Sequence, residues 1–353
     1  MTEKMVGDGL AAAYKGRQIV VTGGMGAIGR HLVSALIQAG ARVTVIDNMS
    51  TPSLVPCELL THKRLRLVRR SILDEEGLNA AVTPGTELVF HLAALFANRK
   101  SVEQPDKDLL VNGLGTLRLL LRAHACGVAR FVYVSSASVY KDNLPLITET
   151  SPVGDFGTPY QITKHVGELY AGYMSSIGLP TVVIRLFSSY GPGELPGPYR
   201  NVVANFVYRA LHGEELCISG TGMETRPYTY VGDHVTVMMR CGVFDGAEGE
   251  VFNSANERTY SVEQLAELVL HATGSNAPVV KNLPRAWDTR LYVRASGEKL
   301  RQRLNFVPQV PLEEGVARTV AWHRQHLAEI EGLMTHTTRN ADRPDPCTGQ
   351  VGP

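Results

Sequence analysis

Tyr160 and Lys164 are the side chains of this sequence whose types and spacing could move a proton. They stand at the start of a segment with a helical pattern, where a spacing of four places two side chains on one face, one turn apart. A nearby ammonium favours the phenolate and so lowers the tyrosine pKa toward working pH. Such a tyrosine can take the proton from a sugar or alcohol hydroxyl while hydride leaves the same carbon. Because Tyr-x-x-x-Lys pairs also arise by chance on helix surfaces, this interpretation depends on the surrounding elements.

A hydroxyl that could share this proton lies at Ser136. The run Arg130 to Val134 predicts a strand that ends in Ser135 and Ser136. At the carboxyl end of a strand a hydroxyl can hydrogen-bond the reacting oxygen. In the alternative interpretation the serine ends the strand by bonding its own backbone, and Ser135 or Ser138 takes the catalytic place. We favour Ser136 as the third catalytic residue.

The element that would hold a cofactor beside these residues is a glycine-rich turn near the start of the chain. The run Gln18 to Val21 predicts a buried strand, Gly23, Gly26 and Gly29 follow it, and a helical pattern continues from His31. The first glycine permits a tight turn, the second lets backbone approach a pyrophosphate, and the third lets helix and strand pack closely. The helix N-terminus offers unpaired N–H groups to the phosphates. The alternative is a structural turn without a ligand.

A carboxylate after the second strand indicates which dinucleotide is bound. The run Arg42 to Ile46 predicts a strand, and Asp47 follows it, placed for the adenosine ribose hydroxyls. A carboxylate repels a 2′-phosphate, and Asn48, Met49 and Ser50 supply no arginine to hold one. The sequence therefore predicts NAD rather than NADP.

Strand-like and helix-like segments alternate from about residue 15 to 185, the pattern of a parallel sheet covered on both faces. We predict an α/β fold, a doubly wound parallel sheet (Rossmann) with a smaller mixed α/β C-terminal substrate lobe. The predicted domains are an NAD-binding domain at 15–187 and a substrate lobe at 188–330, with some chain crossing between them. The polar segment 335–353 is predicted to be a disordered tail.

Composition excludes several classes of partner. The chain has 353 residues and a formal net charge of +1, without a basic stripe of the kind that binds nucleic acid. It contains no run near the ~20 apolar residues of a membrane span, and its N-terminus lacks the apolar core of a signal peptide. The five cysteines show no metal-ligand spacing. We expect a cytoplasmic protein that binds no nucleic acid, no membrane and no metal.

Taken together, the motifs resemble those of an extended short-chain dehydrogenase/reductase, in the branch of NAD-dependent nucleotide-sugar epimerases and dehydratases such as the UDP-galactose 4-epimerases. The likeness covers about residues 17 to 325. It rests on Gly23-x-x-Gly26-x-x-Gly29, Asp47, Leu92-Ala93-Ala94, Asn112-Gly113-Leu114-Gly115-Thr116, Ser136 and Tyr160-x-x-x-Lys164.

The resemblance implies a site for NAD and a site for a nucleotide sugar. The implied catalytic residues are Ser136, Tyr160 and Lys164. The implied cofactor contacts are Gly23, Gly26, Ala27, Ile28, Asp47, Asn48, Ser50, Ser71, Ile72, Leu92, Ala93, Ala94, Asn112, Tyr160, Lys164 and Phe187. The implied substrate contacts are Ser136, Ser188, Arg226, Arg285 and Asp288, and UDP is the favoured nucleotide. Arginines suit a diphosphate because the guanidinium fork matches its oxygens.

Three positions depart from the family's pattern. Ser188 stands where the sugar-contact segment usually has asparagine, and Ser71 stands where aspartate usually precedes the adenine-side isoleucine. Phe96 replaces a residue that is frequently polar. These departures indicate an unusual sugar, and Arg185 or Arg200 could hold a sugar carboxylate, although Arg185 could equally well end its strand.

The reaction is inferred from side chains that are absent. A 4,6-dehydratase of this branch would show Thr-Asp-Glu at Ser136-Ala137-Ser138, and a sugar-acid decarboxylase would show glutamate at Ser138. We therefore predict C4 epimerisation of a UDP-sugar through a 4-keto intermediate, with Tyr160 as the base. A 4,6- or 5,6-dehydratase, a sugar-acid decarboxylase and a 4-ketoreductase stay open, as does a non-catalytic NAD-responsive binding protein. Family resemblance also implies a homodimer through the helices near Asp106–Ala125 and Tyr160–Ile177.

Overall fold

The structure is a computed structural model that describes residues 7–96, 98–198, 200–284 and 290–338. Its strands are β1 Gln18–Thr22, β2 Arg42–Ile46, β3 Leu65–Val68, β4 Leu88–His91, β5 Arg130–Ser136, β6 Thr181–Leu186, β7 Ser189–Tyr190, β8 Leu216–Ser219, β9 Thr225–Arg226, β10 Thr229–Tyr230, β11 Val251–Ser254, β12 Tyr260–Ser261 and β13 Val279–Asn282. Its helices are α1 Asp8–Ala12, α2 Gly29–Gln38, α3 Cys57–Leu60, α4 Glu75–Ala81, α5 Asn98–Glu103, α6 Pro105–Asp108, α7 Thr116–Ala125, α8 Pro159–Ser176, α9 Val202–Leu211, α10 Val231–Val243, α11 Val262–Thr273, α12 Glu298–Leu304, α13 Leu312–Gln325 and α14 Leu327–Thr338.

The main sheet has seven parallel strands in the order β11-β6-β5-β4-β1-β2-β3. Its central strands are apolar runs buried on both faces, as a parallel sheet covered by helices requires. The chain reverses direction across the sheet between β1 and β4, and the carboxyl ends of these strands form the crevice where such folds bind ligands. The predicted doubly wound fold is confirmed.

The chain after residue 188 builds a smaller set of elements and also returns to the main sheet. Its short strands pair as β7 with β10, β9 with β12, and β8 with β13, around a separate apolar core. Strand β11 joins the edge of the main sheet beside β6, and α10 packs on α2. The predicted substrate half, after residue 188, is thus tied to the predicted NAD-binding half by β11 and α10.

One predicted helix differs in detail from the structure. The sequence predicts a single helix from Pro105 to Ala125, whereas the structure places a π-helical segment, Leu109–Gly115, between α6 and α7. Segments of this wider helix are rare and are frequently found at functional sites. Asn112 lies within it and is 1% exposed.

Helix α8 carries the predicted catalytic pair and begins with strong local signals. Thr158 and Gln161 form a capping box, in which each side chain bonds the other residue's backbone, and Pro159 occupies the first helical position. The face toward the sheet is buried at Tyr160, Thr163, Lys164, Gly167, Glu168 and Ala171, a helical spacing. The start and the rotation of α8 are therefore both fixed.

At the end of the described chain, α14 continues to Thr338. The first four residues of the predicted tail are therefore helical, and residues 339–353 lie outside the described residues. No helix within the described ranges is both long and apolar enough to cross a membrane.

Two glycines of α8 test how tightly this helix packs on β5. A Cβ on Gly167 would meet the hydroxyl of Tyr133 and approach its Cε1 to 3.0 Å, whereas a Cβ on Gly172 would enter open space. We expect Gly167→Ala to lower the free energy of unfolding by about 1–3 kcal/mol through overpacking. Gly172→Ala, the matched control, should raise it by about 0.5–1 kcal/mol because alanine favours the helix. Urea unfolding of both variants measures this, and equal effects would contradict the packing described.

Candidate active site

The glycine turn has a shape that only glycine permits at two positions. Gly23 has φ +65°, and a Cβ there would lie 2.7 Å from the backbone nitrogen of Ala93. A Cβ on Gly29 would meet the carbonyl oxygen of Gly23 and lie 2.8 Å from the Cα of Gly24. These contacts bring the start of α2 and the end of β4 against the turn.

The same turn offers backbone donors to an anion. Among the described residues, no protein acceptor faces the N–H groups of Ala27 and Ile28. No acidic residue occupies the first turn of α2, and no side chain caps it. A Cβ on Gly26 would meet only the oxygen of Gly23, at 3.3 Å. Open amides at a helix N-terminus beside an uncrowded glycine fit the pyrophosphate of a dinucleotide.

Asp47 holds the loop after β2 against the glycine turn. One carboxylate oxygen accepts a hydrogen bond from the N–H of Met25 at 3.0 Å, and the other accepts one from the N–H of Met49 at 2.8 Å. A carboxylate has about four acceptor sites, so two remain for ribose hydroxyls. Asn48 and Ser50 lie exposed at the same rim, where the Asn48 side chain accepts the Ser50 N–H at 3.1 Å.

Ile72, predicted to lie beside the adenine, is buried and lies against the π-helical segment at Gly115. The hydroxyl of Ser71 accepts the N–H of Leu73 at 3.2 Å, inside its own turn. The serine that replaces the usual aspartate therefore has a local structural role.

The end of β4 is held by two polar side chains. The N–H of Leu92 donates to the carbonyl of Thr22, and the N–H of Ala93 donates to the Thr22 hydroxyl at 3.1 Å. Asn112 bonds both backbone groups of Leu95, accepting at 2.8 Å and donating at 3.2 Å. Asn112 therefore fixes the loop that follows Leu92, Ala93 and Ala94, the segment predicted to line the cofactor.

The predicted catalytic side chains meet at the carboxyl end of β5. Lys164 donates from Nζ to the carbonyl oxygen of Val134 at 2.8 Å, and Nζ lies 5.9 Å from the centre of the Tyr160 ring. Ser136 Oγ accepts two hydrogen bonds from Ser138, one from its N–H at 3.2 Å and one from its hydroxyl at 2.9 Å. With its acceptor sites occupied, Ser136 is left with its own proton to donate.

The tyrosine pKa differs from the expectation drawn from its spacing to lysine. Burial raises the pKa of Tyr160 above its ordinary value, a hydrogen bond from Ser136 opposes this, and the charge of Asp108 adds to it. The reason is that Tyr160 is only 7% exposed, so desolvation of the phenolate outweighs its neighbours. Burial also lowers the pKa of Lys164 to about 8, although Asp108 and Glu168 counteract it.

Two buried carboxylates beside the site were not predicted. Asp108 accepts the Thr163 hydroxyl at 2.6 Å and the Asn112 amide at 2.8 Å, while Glu168 pairs with Arg185. A signal existed for each in the sequence: Asp108 precedes Asn112 by four residues, and Glu168 follows Lys164 by four. Spacing alone does not tell such residues from solvent-exposed helix charges, which are far commoner.

On the substrate side the structure describes some of the predicted residues. Phe187 is buried, and its carbonyl oxygen lies 3.1 Å from the ring nitrogen Nε2 of His234. Ser188 has φ +28°, a conformation that non-glycine residues rarely adopt, and its carbonyl accepts the Thr229 N–H at 3.1 Å. Strain of this kind clusters at ligand sites. The ring of Phe96 stands edge-on to Tyr160, 6.1 Å between centres.

Arg226 is half-buried, and its guanidinium donates to the carbonyls of Arg290 at 2.8 Å and Leu291 at 3.3 Å. It therefore ties β9 to the segment that begins at Arg290. Arg285 and Asp288, the other predicted substrate contacts, lie outside the described residues.

Comparison with known proteins agrees with this geometry. The sequence model of the NAD dependent epimerase/dehydratase family matches residues 19–255. The chain is 30% identical over 320 residues to a UDP-N-acetyl-alpha-D-glucosaminuronate decarboxylase of Bacillus cytotoxicus, covering 88% of this chain and 98% of that protein.

Solved structures extend the likeness to three dimensions. An epimerase of Methanothermobacter thermautotrophicus is 39% identical, with a TM-score of 0.88 over 92% of this chain and 97% of that one. A UDP-glucose 4-epimerase of Thermotoga maritima, solved with UDP-glucose, is 34% identical, with a TM-score of 0.81 over 88% of this chain and 99% of that one. NAD is the cofactor of the matched family, and the open amides of the glycine turn fit its pyrophosphate. From its glycine turn to the last strand of its main sheet, this chain belongs to the NAD dependent epimerase/dehydratase family.

Proposed function

We propose that this chain is a nucleotide-sugar epimerase that inverts C4 of a UDP-sugar. The observation that carries the proposal is the pair Ala137 and Ser138 beside the catalytic serine. Ser138 donates both its hydroxyl and its N–H to Ser136. Ala137, which lies between them, carries only a methyl group. Neither side chain can act as a general acid or base toward a sugar carbon at neutral pH.

In this mechanism Tyr160 takes the proton of the sugar 4-hydroxyl, and Ser136 donates a hydrogen bond to the same oxygen. NAD bound at the glycine turn would supply reversible hydride transfer at C4, so the reaction would consume no cofactor. Between removal and return of the hydride, the 4-keto sugar rotates to present its opposite face. Tyr160 then gives its proton back to the new hydroxyl. Because burial raises the pKa of Tyr160, its phenolate is costly to form, and the positive charge of Lys164, held by the Val134 carbonyl, offsets part of that cost.

The alternative reactions of the same family, dehydration and decarboxylation, need acidic or basic side chains that this chain lacks at positions 137 and 138. Elimination of water requires an added acid and base, and the sugar-acid decarboxylases of this branch have a glutamate where Ser138 stands. Arg185, which could have held a sugar carboxylate, is engaged by Glu168 through two hydrogen bonds. Arg200 lies near the buried Glu194. These contacts favour an uncharged sugar over a sugar acid.

The likeness to a UDP-glucose 4-epimerase that binds UDP-glucose supports UDP as the nucleotide. Arg226 and, from the sequence, Arg285 and Asp288 are the residues we propose for the diphosphate and ribose. Ser188, shorter than the usual asparagine, leaves more room beside the sugar.

The reaction is tested by the products of a panel of UDP-sugars, followed by NMR and mass spectrometry. We expect an unchanged mass with altered ring couplings, because hydride returns to the opposite face of C4. Tyr160→Phe should lower kcat by about 10²–10⁴-fold, the contribution of a positioned acid–base group, while NAD affinity persists. Tyr170→Phe, a half-exposed tyrosine on the same helix, is the matched control and should keep wild-type turnover.

Loss of water from the product would indicate a dehydratase, and loss of carbon dioxide a decarboxylase. Undiminished turnover by Tyr160→Phe would refute the assigned base, whatever the product.

The alkaline limb of the pH profile of kcat should report the deprotonation of Lys164. Burial lowers its pKa from the ordinary 10.5 to about 8, so the ammonium is present below that pH and is lost above it. We expect kcat to fall as pH rises through about 8, with a slope of one proton. Lys164→Arg, which stays charged at any accessible pH, should abolish this limb, and a limb that persists in that variant would assign it to another group.

We further propose that the protein is a homodimer. The π-helical segment Leu109–Gly115 and α7 together pack beside α8, and both of these helical stretches leave apolar side chains in solvent at helical spacing. These are Leu110, Leu114 and Leu121, at 45%, 37% and 49% exposure, and Ile162, Leu169 and Tyr173, at 47%, 60% and 57%. An exposed apolar stripe of this kind marks an interaction surface. Two copies related by a two-fold axis would cover both stripes with the same face.

Leu169→Glu places a charge at the centre of this stripe and should convert the dimer into a monomer. Met223→Glu, a substitution of comparable exposure in the substrate half (57%), should leave the dimer intact. Size-exclusion chromatography with light scattering gives both masses. A monomeric wild type, or a dimeric Leu169→Glu, would rule out this interface.

A further inference from the structure

A buried ion pair lies directly behind the catalytic side chains. Arg185 donates from Nε to one oxygen of Glu168 at 2.9 Å and from Nη2 to the other at 2.6 Å. Each side chain is 7% exposed. Burial alone would raise the pKa of Glu168, but hydrogen bonds from Arg185 hold it below its ordinary value, so the carboxylate is charged.

This pair bridges the elements that carry the catalytic residues. Glu168 follows Lys164 by one turn of α8, and Arg185 stands in β6 directly beside Ser135 of β5. The Arg185 guanidinium also lies 4.5 Å from the centre of the Tyr140 ring. Tyr140 ends the turn that begins at Ser136. One guanidinium therefore touches both the catalytic helix and the catalytic-serine turn.

The turn is also anchored from its far side. The Tyr140 hydroxyl donates to the side chain of Asn253 at 2.7 Å, and the N–H of Asn253 donates to Glu149 at 2.9 Å. Asn253 lies in β11, beside Arg185 in the sheet. Arg185 thus sits at the centre of a polar cluster that joins three neighbouring strands to α8.

We propose that Glu168 and Arg185 are positioning residues that set the distance between the Tyr160–Lys164 helix and the Ser136 turn, with Glu168 buried one helical turn beyond Lys164 on the same face of α8. The proposal rests on the epimerase function for its kinetic consequences, but its geometry does not depend on which sugar reacts. A buried ion pair is often no more stabilising than an apolar pair of the same size. A bidentate fork, by contrast, fixes orientation, and orientation is what two halves of one catalytic set need.

Lys164 faces charged or titratable groups from several elements. From α8 come Tyr160 and Glu168, and Asp108 approaches from the end of α6. The Tyr133 ring of β5 lies 5.2 Å from Nζ. His91 of β4 is also near, and burial lowers its pKa to about 3, so it is neutral. Burial keeps Tyr133 neutral too, by raising its pKa. The two carboxylates are therefore the charges that favour the ammonium.

The test uses the full-length protein labelled with ¹³Cε-lysine, with the Lys164 signal assigned by its loss in Lys164→Arg. In Glu168→Gln we expect the titration midpoint of Lys164 to fall by about one pH unit, and kcat to fall about tenfold or more. Glu257→Gln is the matched control, because it removes a carboxylate bonded to Arg301 at 2.6 Å outside the site. A folded Glu168→Gln with the wild-type Lys164 midpoint and wild-type kcat would overturn the proposal.

Arg185→Lys separates positioning from charge and serves if Glu168→Gln does not fold. It keeps both charges but replaces the two-bond fork by a single bond, so kcat should fall about tenfold while KM and the Lys164 midpoint stay. Wild-type kcat in Arg185→Lys would refute the positioning role. The NMR titration needs no substrate, so a wild type inactive on every sugar would refute the proposed epimerase function and still leave the Lys164 result to be judged.

Discussion

A buried ammonium is the constraint on which this structure depends. Lys164 is only 4% exposed, and a buried charge is tolerated only when it is hydrogen-bonded and faced by opposite charge. The structure meets this requirement with the Val134 carbonyl, with Asp108 from one helix and with Glu168 from the next turn of α8. Each of those carboxylates is in turn satisfied, Asp108 by Thr163 and Asn112 and Glu168 by Arg185. The residues that surround this one charge therefore come from β5, from the π-helical segment, from α6, from α8 and from β6.

Beneath the glycine turn, neutral polar side chains connect neighbouring elements through a buried histidine. His91 lies 2.7 Å from the Thr22 hydroxyl through Nδ1 and 2.9 Å from the Thr116 hydroxyl through Nε2. These contacts join β1, β4 and α7 just beneath the glycine turn. Because burial keeps His91 neutral, the linkage does not change with pH in the ordinary range. The strand that leads into the glycine turn is thus joined to β4 and to the start of α7 by contacts that do not titrate near neutral pH.

The predicted cofactor site and the predicted reaction depend on different features of the structure, namely backbone shape and side-chain identity. The cofactor side is defined by backbone shape, since the turn at Gly23 and Gly29 leaves no room for a Cβ. The proposed reaction, by contrast, rests on small side chains such as Ser138, whose hydroxyl donates to Ser136. The relatives include a decarboxylase at 30% identity and an epimerase at 39% identity, so overall likeness does not by itself fix the reaction.

The sequence by itself determined everything that depends on local spacing. The order of strands and helices, the glycine turn, the capping box that starts α8 and the four-residue step from Tyr160 to Lys164 are all short-range patterns, and the predicted doubly wound sheet is confirmed. Tertiary structure alone decided what depends on burial and on contacts between distant segments. The ion pair of Glu168 with Arg185 joins a helix to a strand that no pattern pairs, and the π-helical segment interrupts a helix whose periodicity reads as continuous. The Tyr160 pKa is raised rather than lowered because desolvation is a property of the packed core, and no spacing in a sequence measures how much water a side chain loses on folding.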